Sequence, residues 1–209
     1  MYRDKGIGKK VIQRLYGYLA DDLQEVSKMA EGIMIMGASG AGKTTLGKMV
    51  AGKLGYRFVD IDEYIWRKDE AIPFSKIYPK KEKISRLMAA ISGCEHFVMA
   101  GSMDSFHEYF DSFFKLVVYL HADVRLRVKR VHERELELFG ERILEGGDMY
   151  EKHQMFLNDV AGYDDGMSGC TLQQHEAWLK SLQCKVIRLD GAQELEKNLK
   201  IVIDAYRDV

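Results

Sequence analysis

The octapeptide Gly37-Ala38-Ser39-Gly40-Ala41-Gly42-Lys43-Thr44 constrains this chain more than any other feature, because of what stands on either side of it. The run before it, Gly32-Ile33-Met34-Ile35-Met36, is apolar throughout and too short for a typical helix, so it reads as a strand buried in a parallel sheet. The stretch after it, from about Lys43 to Leu54, reads as a helix closed by Gly55. A strand, a turn of the form G-x-x-x-x-G-K-[ST] and a helix in that order make a phosphate loop. Its glycines let consecutive backbone N–H groups turn inward on an anion, and the helix adds the positive end of its dipole. Lys43 is then placed to reach the β- and γ-phosphates of a nucleoside triphosphate, and the Thr44 hydroxyl to meet Mg2+. With Thr45 beside them, Gly37 through Thr44 are the expected binding residues for ATP or a close purine relative.

Further strands are expected at Arg57–Ile61, Glu95–Ala100, Lys115–Leu120 and Lys185–Leu189, with helical sequence around Ile84–Ile91 and a last helix over about residues 193–206. Strand and helix alternate, as in a parallel α/β sheet. An amphipathic helix is expected over about residues 9–29, where Val11, Ile12, Leu15, Leu19, Leu23 and Val26 recur every three or four positions. Between the fourth and fifth strands lies a long segment, about residues 123–170, charged at its start and interrupted by Gly140, Gly146, Gly147, Gly162, Gly166 and Gly169; it reads as a mobile lid. Pro73 and Pro79 bracket a loop after the second strand. The whole chain, residues 1–209, reads as one domain.

Balanced charge narrows the partners. With 31 Lys and Arg against 32 Asp and Glu there is no global field to hold nucleic acid or an anionic membrane, so anion recognition is expected to be local. No apolar run approaches the roughly 18 residues that span a bilayer. The basic N-terminus runs into Gln13, Arg14, Asp21 and Asp22 rather than a signal-peptide core, and Cys94, Cys170 and Cys184 form no CxxC pair. The expectation is a cytoplasmic protein with reduced thiols. His107-Glu108, His132-Glu133 and His175-Glu176 each lack the second histidine of H-E-x-x-H, so no protein-built zinc site is expected.

Asp60-Ile61-Asp62 closes the second strand. Side chains two apart on a strand share a face, so both carboxylates are directed to the crevice beyond the strand ends, where open α/β sheets bind ligands. One acid suits a metal-bound water and the other the proton of an attacking hydroxyl; capping of a following helix by Asp62 is the simpler alternative. Arg127, Arg130 and Arg134 fall on one helical face at the start of the lid, with Arg125 and Arg142 near them. Planar, permanently charged guanidinium suits phosphate, although the interleaved Glu133, Glu135, Glu137 and Glu141 offer ordinary surface ion pairs instead. Phe106, Tyr109, Phe110, Phe113 and Phe114 have helix-like spacing and read as core.

The run Gly42 to Lys48 and then Leu54-Gly55-Tyr56-Arg57-Phe58-Val59-Asp60-Ile61-Asp62 resembles the shikimate and gluconate kinase group of small P-loop kinases, within the adenylate kinase-like part of the P-loop NTPase superfamily. The resemblance implies a three-layer α/β fold with a five-stranded parallel sheet in the order 2-3-1-4-5. It implies transfer of the γ-phosphoryl group of ATP to a small-molecule hydroxyl or phosphate acceptor. Lys43, Arg130 and Arg134 would act on phosphate, Thr44 and Asp60 on Mg2+, Asp62 on the acceptor, and the Arg188–Gly191 turn near adenine. Two departures stand out. The third strand ends in Ala100-Gly101-Ser102-Met103, where only Gly101 keeps a glycine-rich triplet, and no arginine after Asp62 matches the one that holds a substrate carboxylate. A nucleotide-dependent ATPase or switch is the alternative reading, and a nucleic-acid kinase the third.

Overall fold

The computed structural model describes residues 30–103 and 105–209; the amphipathic segment expected over residues 9–29 lies outside them. Five strands, β1 (Glu31–Met36), β2 (Arg57–Asp60), β3 (His96–Ala100), β4 (Phe114–His121) and β5 (Lys185–Asp190), form one parallel sheet in the order β2-β3-β1-β4-β5. Seven helices accompany them: α1 (Lys43–Leu54), α2 (Asp62–Ile65), α3 (Lys80–Ile91), α4 (Val124–Phe139), α5 (Tyr150–Ala161), α6 (Leu172–Ser181) and α7 (Leu195–Arg207). Strand order and α/β class are those implied by the resemblance.

Central β1 explains why its sequence is apolar without alternation. Ile33 and Ile35 face a core shared with Val98, Leu116 and Val118, covered by Leu46 and Val50 of α1 and Val202 and Ile203 of α7. Met34 and Met36 face the opposite core, with Met99, Val117 and Tyr119 under Ile84 and Leu87 of α3 and Trp178 and Leu179 of α6. Each fully buried side chain of this size contributes about 1.5–3 kcal/mol of apolar transfer, so both faces of the strand are committed to packing.

Helix α3 begins at Lys80, a turn earlier than the apolar spacing suggested, because Pro79 supplies its N-cap position. The aromatic segment departs from regular helix. It forms two short 3-10 turns, His107–Tyr109 and Asp111–Phe113, which bury Phe106, Phe110 and Phe113 just before β4. The loop between Pro73 and Pro79 folds back on itself, with Trp66 bridged to Ile77 and Arg67 N–H bonded to the Lys76 carbonyl at 2.9 Å.

The segment expected as a lid is helical. Asp123 caps α4 by accepting from Arg125 N–H at 2.9 Å, and Gly140 ends it in the left-handed region. A 3-10 turn, Gly140–Ile143, leads to Gly146 and Gly147, where Gly147 N–H bonds Leu144 O at 2.8 Å and Met149 N–H bonds Arg142 O at 2.9 Å. Helix α5 then packs back on α4, joined by Arg127: Nε donates to Ala122 O at 3.0 Å, Nη1 to Val160 O at 3.1 Å and Nη2 to Asp164.

Candidate active site

Helix α1 starts at Gly42 with φ of 103°, has no side-chain cap and carries no acidic residue in its first turn. Most helices close their free N–H groups with a capping side chain. Here they are left for an anion, as the sequence reading required. The loop is tight, with Ala41 N–H bonded to Ala38 O at 3.2 Å. At Gly40, whose φ is 80°, a β-carbon would sit 2.5 Å from the Arg127 carbonyl oxygen, so the loop and the first turn of α4 meet backbone to backbone. Only glycine permits both the conformation and the approach.

Lys43 Nζ donates to Ala38 O at 2.9 Å. The side chain keeps some accessible surface, yet its ammonium is packed among protein atoms. Desolvation therefore pushes its pKa below the ordinary lysine value, with Arg134 adding to the shift and Asp62, Cys170 and Asp60 opposing it. These groups surround the phosphate loop. Lys43, Asp60, Asp62 and Arg134, drawn from four separate stretches of sequence, are thus brought within electrostatic reach of one another.

Thr44 Oγ1 donates to Asp60 Oδ2 at 3.1 Å, and Asp62 N–H donates to Asp60 Oδ1 at 3.2 Å. Burial raises the Asp60 pKa, Asp62 raises it further, and the two hydrogen bonds oppose the shift. Asp62 is exposed, stands first in α2, and the N-cap position before it, Ile61, has no side-chain cap. The Asp62 carboxylate is accordingly not occupied in capping. Thr44 and Asp60 present hard oxygen donors side by side, which fits Mg2+, an ion that takes one or two protein ligands and completes its shell with phosphate and water. Among the described residues no group of three or more His, Cys, Asp or Glu could hold a metal by itself.

The three arginines on α4 have three different environments. Arg127 is fully buried and structural. Arg130 crosses the loop: its Nη1 donates to Gly191 O at 3.0 Å and approaches Gly40 O at 3.4 Å. Arg134 is exposed and forms no hydrogen bond or ion pair with a described residue. The interleaved glutamates pair elsewhere, Glu133 with Lys129 and Glu135 with His153, so surface ion pairing does not account for Arg130 or Arg134. Arg142 is tied to Asp148 at 2.8 Å. Gly191, at the turn expected near adenine, lies against the loop through Gly191 N–H to His121 O at 2.5 Å.

Among the cations after Asp62, Lys76 pairs with Glu70, Lys80 with Glu108 and Arg86 with Glu82. Lys83 differs: it is 7% exposed, sits 4.9 Å above the Phe106 ring, and burial pushes its pKa down, with Lys80 adding to the effect. Sequence reasoning also passed over a hydrogen-bonded group next to the loop. Ser102 Oγ and Cys170 Sγ lie 3.1 and 3.2 Å from His175 Nε2; His175 Nδ1 lies 2.6 Å from Tyr163 OH, itself 3.0 Å from Tyr119 OH. These residues come from β3's end, β4, the loop after α5 and α6. No local spacing announces them.

A phosphate loop before a 2-3-1-4-5 parallel sheet, with a Thr–Asp pair and arginines gathered over it, defines a P-loop kinase-like phosphotransferase that uses ATP. The model of the family described as "Shikimate kinase" matches residues 39–156, more than half of the chain, and the chain belongs to that family. Uncharacterized protein YqaC of Bacillus subtilis (strain 168) is 29% identical over 177 residues, covering 84% of this chain and 97% of that protein. Shikimate kinase 2 of Yersinia pestis (strain Pestoides F) is 29% identical over 147 residues, 64% of this chain and 84% of its own. The crystal structure of shikimate kinase from Bacteroides thetaiotaomicron superposes with a TM-score of 0.52 at 17% identity, covering 85% of this chain and 98% of that one, a likeness of fold. No described helix is long and apolar enough to cross a membrane.

Proposed function

We propose that the chain transfers the γ-phosphoryl group of ATP to a hydroxyl of a small-molecule acceptor, with Asp62 as the group that receives the hydroxyl proton. The observation that carries this reading is the Thr44–Asp60 pair at 3.1 Å with the uncapped, exposed Asp62 carboxylate beside it. Mg2+, held through Thr44 and a water on Asp60, would supply charge neutralisation at the β- and γ-phosphates. The free N–H groups of the loop and α1 bind the phosphates. Lys43 leaves the Ala38 carbonyl to reach the same oxygens, where the ammonium recovers the charge stabilisation it lost on burial. As the acceptor oxygen bonds to phosphorus and the bond to ADP breaks, the hydroxyl proton passes to Asp62. Arg130 and Arg134 are the cations free to turn onto the transferring group. Free thiols at Cys94, Cys170 and Cys184 suit a cytoplasmic protein.

The acceptor is best sought among small hydroxylated anions, because Lys83 is a buried cation with no acidic partner on the acceptor side of Asp62. The test is transfer of label from γ-labelled ATP to shikimate, sugar acids, nucleosides and nucleoside monophosphates. A labelled organic product is expected. Release of labelled inorganic phosphate alone, at a rate indifferent to every acceptor, would overturn the reading and favour an ATPase or switch.

A further inference from the structure

We propose that Cys170 is a thiol-modification site that takes small anionic disulfides and closes the phosphate site once modified. The group that supports it lies outside the 39–156 family match for three of its five members, so the shared family chemistry does not account for it.

The thiol is set within a built cluster. The capping box of α6 fixes the chain just after it: Thr171 Oγ1 accepts from Gln174 N–H at 3.2 Å while Thr171 N–H donates to Gln174 Oε1 at 2.8 Å. That holds His175 one turn from Cys170, its ring fully buried against Tyr119, Tyr163 and Trp178. With the Nδ1 hydrogen directed to Tyr163 OH, Nε2 presents its lone pair to the Cys170 thiol at 3.2 Å. The other two cysteines lack such a base. Cys94 Sγ bonds the Ile91 carbonyl at 2.9 Å, and burial raises the pKa of both Cys94 and Cys184.

Position supplies the consequence. Ser102, 3.6 Å from Cys170 Sγ, directly follows Gly101, whose N–H bonds Ile35 O of β1 at 3.1 Å; the cluster therefore stands at the strand end that feeds the phosphate loop. Cys170 is also near enough to act electrostatically on Lys43. The cations that await phosphate, Lys43 and Arg134 among them, favour approach of a negatively charged reagent. In the reaction the thiol proton moves to His175 Nε2 and the Cys170 sulfur attacks one sulfur of the disulfide. A new S–S bond forms, the reagent's S–S bond breaks, and its other half leaves as a thiolate with the electron pair. Cys170 ends oxidised as a mixed disulfide and the leaving half reduced. A dithiol reverses the exchange.

The closure rests on the phosphate-site reading above, whereas the reactivity does not, and the experiment separates them. The full chain is treated with oxidised glutathione or with neutral bis(2-hydroxyethyl) disulfide, adducts are located by mass spectrometry, and affinity for a fluorescent ATP analogue is measured without acceptor. Glutathione is expected on Cys170 before Cys94 or Cys184, faster than the neutral reagent, and slowed by the ATP analogue. The adduct should weaken nucleotide binding at least about tenfold, and dithiothreitol should restore it. Cys170→Ser and Cys170→Ala should bind nucleotide and resist inhibition, and His175→Asn should slow adduct formation at least about threefold. Modification of Cys94 or Cys184 first, or a stoichiometric Cys170 adduct with unchanged affinity, overturns the proposal. Equal rates with both reagents overturn the anion selectivity. Untreated protein that binds no ATP analogue overturns the phosphate-site reading, and with it the closure, while the order of thiol modification still decides the reactivity.

Discussion

Replacing Arg127 by methionine should destabilise the protein without removing its nucleotide site. Methionine keeps an unbranched stem of similar reach and loses every donor. The guanidinium is fully buried and holds Ala122 O, Val160 O and Asp164 at once, joining the loop before α4 to the end of α5. Removing one partner of a buried ion pair costs about 3–5 kcal/mol. Asp164 keeps 32% of its side-chain surface and rehydrates in part, which moves the figure toward the lower end. Each of the two carbonyls, deprived of a charged donor, accounts for about 1–3 kcal/mol if left dry. A loss of about 3 kcal/mol is therefore expected, equivalent to a fall in Tm of roughly 6–12 °C for a chain of this size. Urea unfolding with an unchanged m-value measures it, and Arg127→Lys should rescue little because one ammonium cannot match three directions. Well below the melting range the variant should still bind ATP. A loss under about 1 kcal/mol together with lost ATP affinity would refute the reasoning and make Arg127 a phosphate ligand.

Lys43→Met should abolish ATP binding by calorimetry yet raise the Tm of the nucleotide-free protein. A lysine whose folded pKa is depressed contributes unfavourably below that pKa, and its removal lifts the penalty at neutral pH. Asp62→Asn should keep ATP affinity and lose transfer, whereas Asp60→Asn should raise the Mg2+ requirement; transfer by Asp62→Asn at the wild-type rate would exclude the proton-acceptor role. Because the folded Asp60 pKa is raised, the unfavourable contribution of its charge is present above that pKa and fades as pH falls through it, so Asp60→Asn should stabilise the apo protein at pH 7 more than at pH 4, by thermal unfolding. Arg130→Ala and Arg134→Ala should lower transfer more than ground-state ATP affinity, and hydrogen exchange should slow on binding ATP analogue plus acceptor chiefly between Arg134 and Asp148.

The parts of the molecule legible in sequence are those whose physics is local. An apolar run, a glycine turn and a helix with Gly55 at its end are contiguous, and each residue's reason lies within a few positions of it. Asp60 and Asp62 were legible because strand periodicity fixes a shared face. The arginines of α4 were only half legible: spacing put Arg127, Arg130 and Arg134 on one face, but their different fates depend on α5 and on the Gly191 turn, which arrive from up to 61 residues away. Ser102 and His175, 73 residues apart, carried no signal at all. A histidine tested only for a metal motif passes unnoticed when its role is to join β3, β4 and α6.

The same contacts decide where a lid can move. Expectation assigned mobility to the whole of residues 123–170, yet the first turn of α4 is fixed three ways: by the Asp123 cap, by the backbone approach at Gly40, and by the buried Arg127 fork into α5. Displacing that turn would unpack the phosphate loop that the lid is meant to cover. Motion compatible with an intact loop begins after it, where Arg134, Leu136, Leu138 and most of the Gly140–Asp148 turn are exposed and the main tie is the surface pair Arg142–Asp148, worth about 0.2–1 kcal/mol. Arg130 stands at the boundary, holding Gly191 O on the fixed side. Arriving phosphate, a stronger partner than a carbonyl, would draw Arg130 off that oxygen and free the Gly191 turn to meet the base, so nucleotide entry and closure of the segment beyond Arg134 become one event.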